Sequence, residues 1–212
     1  MPTKPYTVNG KRVPSVTTIL SRFKDAGPLM YWAWEQGKNG LDYRKTRDAA
    51  ADAGTLAHAM VEADIRGLPS PSMEGVADSL RTKALSAFGA YQEWRNQTRL
   101  KPDQTEVSLT CECHMIGGTL DTIMVQDKRS LGDWKTSNGV YVEYLLQLSA
   151  YRHLWEVNNP DKPIRGGFHL LRFSKSNGDF THHFWADLTE AWEAFQLMRR
   201  LYDLDKALRE RL

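Results

Sequence analysis

The spacing of apolar residues changes at about residue 101, and this change limits the fold more than any other feature of the chain. Before it, apolar residues recur at helical spacing, as in residues 48–65 and 76–94. After it come predicted strands at 106–113, 115–125 and 130–136, a helix at 142–156, strands at 164–173 and 180–185, and a helix at 189–211. This order predicts an α/β (α+β) fold with a central mixed sheet flanked by helices.

The N-terminal part predicts a hairpin followed by helices. Asn9-Gly10 suits a two-residue hairpin turn, because both positions tolerate positive φ, and Ser15 is placed to cap a short helix at 16–23. Another helix begins near Pro28, after Gly27. We expect residues 1–100 to form this helical elaboration and residues 101–212 to form the core, in one compact domain of 212 residues.

The composition excludes several classes of protein. An apolar fraction of 41% and a charged fraction of 25% suit a folded core rather than a disordered chain. A net charge of +2 does not by itself indicate nucleic acid as a partner. No run of ~18 apolar residues predicts a membrane span, and residues 1–9 lack the apolar run of a signal peptide. We therefore expect a cytoplasmic protein with no membrane partner.

The two cysteines, Cys111 and Cys113, are too close in sequence to join distant parts of the fold by a disulfide. Two thiols alone cannot ligate zinc or an iron–sulfur cluster. We expect reduced thiols in an intracellular protein.

Two short segments carry the residues that point to chemistry. Asp133 and Lys135 are two apart on a predicted strand, so their side chains share one face. A hairpin centred near residue 127 places Asp121 opposite Asp133, with Cβ atoms ~5 Å apart. Carboxylates that close repel unless a cation, such as a hard divalent metal, lies between them. An isolated D-x-K triplet more often means a salt-bridged hairpin with Lys135 in solvent.

The next helix carries Gln147 and Tyr151, four apart and on one face. Their amide and hydroxyl groups could hydrogen-bond phosphate oxygens or hold Lys135 in place. The alternative is an amphipathic helix whose polar residues only line its exposed edge.

Four motifs follow one another in order at 54–58, 118–121, 133–135 and 147–151: Gly54-Thr55-Leu56-Ala57-His58, Gly118-Thr119-Leu120-Asp121, Asp133-Trp134-Lys135 and Gln147-Leu148-Ser149-Ala150-Tyr151. Together they resemble the PD-(D/E)XK nuclease superfamily, in its RecB-like exonuclease branch. The opening Val13-Pro14-Ser15-Val16-Thr17 also resembles phage-encoded members and mitochondrial genome maintenance exonuclease. The resemblance spans residues 13–190 and implies a restriction-endonuclease-like core.

The resemblance also implies roles for single residues. Asp121, Asp133, the backbone carbonyl of Trp134 and His58 would ligate Mg²⁺ or Mn²⁺. Lys135 would activate water, with Gln147 and Tyr151 supporting it. Taken alone, His58 is more typical of a buried, hydrogen-bonded helix histidine. Glu62 is expected to be a solvated helix residue, and Glu106 is left outside the site as an exposed strand residue. Some relatives hold an iron–sulfur cluster with four cysteines, but this chain has two, so no iron–sulfur cluster is expected.

The function implied by the resemblance is that of a metal-dependent DNA exonuclease. It would act on single-stranded DNA or DNA ends in replication, recombination or repair, in a bacterial or phage-infected cell. A structure-selective endonuclease and a catalytically inactive DNA-binding module remain as alternatives. The sequence lacks the motifs of serine hydrolases and zinc proteases. It also lacks an ATP-binding loop, so any helicase that acts with it would be a separate chain, as would a recombination protein.

One N-terminal surface could contribute to DNA binding. Tryptophans and basic residues cluster there, and they could form a wall over a DNA strand: Trp32, Trp34, Arg44, Lys45 and Arg47. Tryptophans at such spacing are more often part of a core.

Overall fold

The computed structural model describes residues 5–212. Residues 1–4 lie outside this range. They belong to the segment 1–9, in which the sequence predicts no signal peptide. The strands are β1 (Thr7–Val8), β2 (Lys11–Arg12), β3 (Lys101–Cys111), β4 (Ile116–Val125), β5 (Arg129–Lys135), β6 (Phe168–Phe173) and β7 (Phe180–Trp185). The helices are α1 (Val16–Arg22), α2 (Gly27–Lys38), α3 (Tyr43–Arg66), α4 (Asp78–Gln97), α5 (Val142–Asn158) and α6 (Thr189–Arg209).

Five strands form the central sheet in the order β3-β4-β5-β6-β7. Neighbouring strands are antiparallel except β5 and β6, which run parallel. A parallel pair needs a long crossover, and α5 provides it. The predicted mixed α/β architecture, a central sheet flanked by helices, is therefore confirmed.

Two apolar clusters cover the sheet. One combines α3 and α4 with the sheet and includes the aromatic residues Tyr91, Trp94, Trp134 and Phe173. The other combines α1, α5 and α6 with the sheet and includes Ile19, Leu154 and Phe195. Alternation along β5 explains the division, because Leu131 faces the second cluster and Trp134 the first. Asp133 and Lys135 share the parity of Leu131 and therefore lie on the α5 side.

Local sequence signals account for the ends of several elements. Asn9 and Gly10 have φ values of 50° and 73°, as the predicted hairpin turn between β1 and β2 requires. The Ser15 hydroxyl accepts a hydrogen bond from the Thr18 N–H (3.0 Å) and caps α1. The Asp42 carboxylate caps α3 by accepting from the Arg44 N–H (2.9 Å).

The paired glycines of β4 are explained by close packing. A Cβ atom on Gly118 would lie 2.7 Å from Cε1 of Tyr151, and one on Gly117 would lie 2.3 Å from the Tyr6 ring. Glycine at 118 therefore lets α5 approach β4 this closely, and glycine at 117 leaves room for the Tyr6 ring. The register shift between β3 and β4 lies in β3, between Pro102 and Gln104, away from these glycines.

Three predicted boundaries were wrong. The helix α3 begins at Tyr43, not at residue 48, because its basic first turns have no apolar face to reveal them. The strand β3 begins at Lys101, not at residue 106, because the polar residues of an edge strand hide its alternation. The strand β6 begins at Phe168, not at residue 164, because the amides of residues 165 and 166 both bond the Arg129 carbonyl instead of extending the ladder.

Within residues 5–212, none of the helices has the length and apolar character needed to cross a membrane.

The packing of α5 predicts a large difference between two leucine truncations on helices. Leu154 is 0% exposed in the second cluster, whereas Leu197 of α6 is 73% exposed. Leu154→Ala should lower the free energy of unfolding by about 2–5 kcal/mol, since it leaves a cavity. Leu197→Ala should change it by less than about 0.5 kcal/mol. Urea denaturation of both variants measures the difference, and equal losses would contradict the described packing.

Candidate active site

An open cleft of about 750 Å³ lies between α3, the sheet and the start of α5. Its lining combines carboxylates, a histidine, lysines and hydroxyl groups: His58, Glu62, Glu106, Ser108, Thr119, Asp121, Lys135, Thr136, Ser137, Tyr144 and Lys175, with Ala50, Ala51, Gly54, Thr55 and Trp134. We call this space the acidic cleft.

The β4–β5 hairpin brings two of the predicted carboxylates together. Its pairing runs from Val125 with Arg129 to Thr122 with Gly132, so Asp121 and Asp133 are next in the same register. The Asp121 Oδ2 accepts a hydrogen bond from the Trp134 N–H at 2.8 Å. This agrees with the symmetric hairpin expected from the sequence.

Glu106 is half-buried and lines the acidic cleft, so the expectation of an exposed strand residue outside it was wrong. It lies between two β3–β4 pairs, Thr105 with Thr122 and Val107 with Leu120, which places it opposite Asp121. Its φ of 54° is uncommon for a residue with a side chain, and such strain concentrates at functional sites. Ligand atoms of Glu106, Asp121 and His58 all lie within 4.8 Å of one another.

Burial dominates the electrostatics of the acidic side chains. Burial first, and then the charges of Asp121 and Glu62, raise the pKa of Glu106 to about 7, while Arg66 opposes them. Burial also raises the pKa of Asp133 to about 7, against the lowering effect of Lys135. The pKa of Asp121 is raised by burial as well. Carboxyl groups with a raised pKa would release protons when they bind a cation, because the cation stabilises the carboxylate form.

One side-chain oxygen of Asp133 lacks a hydrogen-bond donor within the described part of the chain, and this favours a cation bound at the site. The Asp133 side chain is buried, and Oδ2 lies 2.6 Å from the Lys135 ammonium. Its Oδ1 receives no hydrogen bond from the residues described by the structure. A buried carboxylate oxygen without a donor is costly unless another positive group approaches it. The donor set of oxygens and one imidazole nitrogen suits a hard divalent cation.

Lys135 is fixed by a chain of polar contacts. Its Nζ donates to Oε1 of Gln147 (3.1 Å), and Nε2 of Gln147 donates to the hydroxyl of Tyr151 (2.9 Å). The Tyr144 ring centroid lies 4.9 Å from Nζ. Burial lowers the pKa of Lys135, but Asp133 and Asp121 outweigh it, so the net pKa is raised. The ammonium is therefore charged and held in one place, with Gln147 and Tyr151 as its positioning residues.

His58 reaches the acidic cleft because α3 approaches the end of β5 closely. A Cβ on Gly54 would lie 2.8 Å from Oγ1 of Thr136, so the glycine allows this approach. Burial lowers the pKa of His58 to about 4, and a hydrogen bond with the Trp134 backbone opposes the shift. His58 is thus a neutral imidazole beside that backbone, which is the form that ligates metals.

Two further charged side chains, those of Glu62 and Lys175, line the cleft. Glu62 pairs with Arg66 at 2.9 Å, so it is not simply solvated. Lys175, which was not predicted from the sequence, donates from its Nζ to the carbonyl of Ala50 at 3.1 Å.

The tryptophans of α2 are not all in a core. Trp34 is 58% exposed, and α2 has no buried residue among those described, so the expectation that Trp32 and Trp34 belong to the core was wrong for Trp34.

Comparisons with known proteins give a likeness of fold. No protein-family model and no curated protein matches the chain. The crystal structure of a protein named "Putative exonuclease" from Eubacterium rectale has a TM-score of 0.51, is 14% identical, and aligns over 73% of this chain and 68% of its own. A protein named SSO0001 is 16% identical over 75% of this chain and 74% of its own, with a TM-score of 0.35, which is too low to carry an argument. The chain is thus similar in fold to the Eubacterium rectale protein.

Proposed function

We propose that this protein is a metal-dependent DNA nuclease that acts as an exonuclease. One observation carries the proposal: His58, Glu106 and Asp121 present ligand atoms within 4.8 Å of one another, beside the buried pair of Asp133 and Lys135. The name of the Eubacterium rectale protein of similar fold supports an exonuclease activity.

The residues that would hold Mg²⁺ or Mn²⁺ are His58, Glu106, Asp121 and Asp133, with the Trp134 carbonyl beside them. Four of these were expected from the sequence, and Glu106 is added here. When bound, such a cation would polarise the scissile phosphate and lower the pKa of a water ligand.

The contribution of the chain itself comes mainly from Lys135. Its ammonium lies on the cleft wall, where it can orient the attacking water and offset charge that develops on the phosphate. The chain through Gln147 to Tyr151 limits its motion, so little reorganisation is needed during the reaction. Lys175 provides a second cation in the lining of the cleft.

DNA is the proposed substrate because exposed basic side chains lie on the helix that lines the cleft, and exposed aromatic side chains lie on the helix before it. Residues 50, 51, 54 and 55 of α3 line the cleft, and the earlier turns of the same helix carry exposed Arg44, Lys45 and Arg47. On α2, Tyr31 is 61% exposed and Trp34 is 58% exposed. Cations that follow a phosphate backbone and aromatic rings that stack on bases are typical of single-strand binding.

The nuclease activity depends on Lys135 in this proposal. Lys135→Ala should reduce cleavage of linear single-stranded DNA in Mn²⁺ by at least about 100-fold, because a fixed group that assists proton transfer or charge stabilisation is lost. Lys128→Ala is the matched control, since Lys128 is exposed in the β4–β5 turn, and it should cleave like wild type. The measurement is shortening of 5′- and 3′-labelled strands, with EDTA as the metal-free control.

A circular single strand separates the alternatives in the same assay. An exonuclease leaves it intact while it degrades the linear strand, whereas a structure-selective endonuclease cuts it. If wild type in Mg²⁺ and Mn²⁺ leaves linear, duplex and circular DNA all intact, the nuclease proposal fails and a DNA-binding module replaces it.

Metal binding should depend on pH through Glu106. With a pKa of about 7, this carboxyl is protonated below pH 7 and cannot ligate, so Mn²⁺ affinity should fall as the pH is lowered from 8 to 6. Glu106→Gln should weaken binding at pH 8 and remove about one proton from the pH dependence. Some dependence should remain, because Asp133 also has a pKa of about 7. Isothermal titration calorimetry at each pH gives both quantities.

Glu93→Gln is the control for this experiment, because Glu93 is exposed on α4 and does not line the cleft. It should bind Mn²⁺ with a pH dependence close to that of wild type. Unchanged affinity of Glu106→Gln at every pH would remove Glu106 from the metal centre.

A further inference from the structure

Two cysteines and a histidine meet at the turn between β3 and β4. The sulfur of Cys111 and the sulfur of Cys113 each lie 3.5 Å from Nε2 of His153, on α5. The two sulfurs are 2.7 Å apart, and both cysteines are free. These three ligand atoms all lie within 4.8 Å of one another. None of the three residues lines the acidic cleft.

The distances to His153 match those of a tetrahedral zinc site. Zn–S bonds of about 2.3 Å and Zn–N bonds of about 2.0–2.1 Å, at the tetrahedral angle, separate sulfur and nitrogen by about 3.6 Å. Two sulfurs on the same ion would lie about 3.8 Å apart, so one of them must move outward by about 1 Å. Cys113 is the exposed residue of the pair and lies in a turn, where this movement is least restrained.

The imidazole of His153 is held in its orientation by aromatic neighbours. The ring of Trp192, from α6, stacks on it with centroids 4.4 Å apart and planes 18° apart. The ring of His114 meets His153 edge-on at 4.8 Å. Because the ring plane is already fixed, little conformational freedom is lost when Nε2 binds a metal.

We propose that Cys111, Cys113 and His153 bind one zinc ion, with water as the fourth ligand. The two thiols release their protons to solvent on binding, and both become thiolates. Thiolates select zinc over Mg²⁺ and Mn²⁺, so this centre and the acidic cleft take different metals. The sequence alone shows only two thiols, because His153 is forty positions further along the chain.

The zinc centre connects the elements that carry the acidic cleft. β3 carries Glu106 and ends at Cys111, while α5 carries Gln147, Tyr151 and His153. A zinc ion bound to both elements ties the β3–β4 turn to α5. The folded state brings His153 to the two cysteines, which the unfolded chain does not, so zinc binds the folded state more tightly and stabilises it.

The test uses the full chain, purified under reducing conditions without chelator. Zinc is counted by mass spectrometry of the metal, and cobalt(II) is then substituted to detect a sulfur-to-cobalt charge-transfer band. Wild type should hold about one zinc per chain and show the band. Cys113→Ser should lose both, and because Cys113 is exposed, this variant should still fold. A zinc-selective chelator should lower the melting temperature of wild type and leave that of Cys113→Ser unchanged.

Two control variants separate this centre from the acidic cleft. Asp121→Asn should keep the zinc and the charge-transfer band, and His183→Ala, outside the cluster, should do the same. Reduced wild type without zinc or a cobalt–thiolate band would overturn the proposal, as would retention of both in Cys113→Ser. Thiol titration of denatured protein that finds Cys111 and Cys113 joined in a disulfide, with no zinc bound after reduction, would also overturn it.

Discussion

Two carboxyl groups lie side by side on β4 and β5, that of Asp121 half-buried and that of Asp133 buried, and the rest of the acidic cleft is arranged around them. Burial disfavours both carboxylates, and the charge of Asp121 further disfavours that of Asp133, so neither could remain charged there without compensation. The Lys135 ammonium and the Trp134 N–H supply part of it. Oδ1 of Asp133 still has no hydrogen-bond donor among the described residues, and a cation would be most favourable beside this oxygen.

Helices α5 and α3 bring further polar side chains to these two carboxyl groups and to Lys135. α5 packs against β4 over Gly118, and this close contact brings the Gln147 amide to Lys135. α3 approaches the end of β5 over Gly54, and His58 reaches the cleft as a result. If zinc binds at the β3–β4 turn and a hard cation binds in the acidic cleft, as we propose, the chain would carry one metal centre that stabilises the fold and another that performs chemistry.

Some of this arrangement could be predicted from the sequence because it depends on local periodicity. The two-residue spacing of Asp133 and Lys135, the hairpin symmetry that sets Asp121 opposite Asp133, and the one-turn spacing of Gln147 and Tyr151 are all local. Glu106 and His153 could not be found in this way. Glu106 meets Asp121 through a strand pairing that contains a register shift, and His153 meets the cysteines through tertiary packing.

The location of a hard metal in the acidic cleft is the central claim, and crystals soaked in MnCl₂ test it most directly. The account predicts an anomalous difference peak, recorded near the manganese absorption edge, within bonding distance of His58, Glu106 and Asp121. Manganese found only at surface carboxylates, with the cleft empty, would contradict the account.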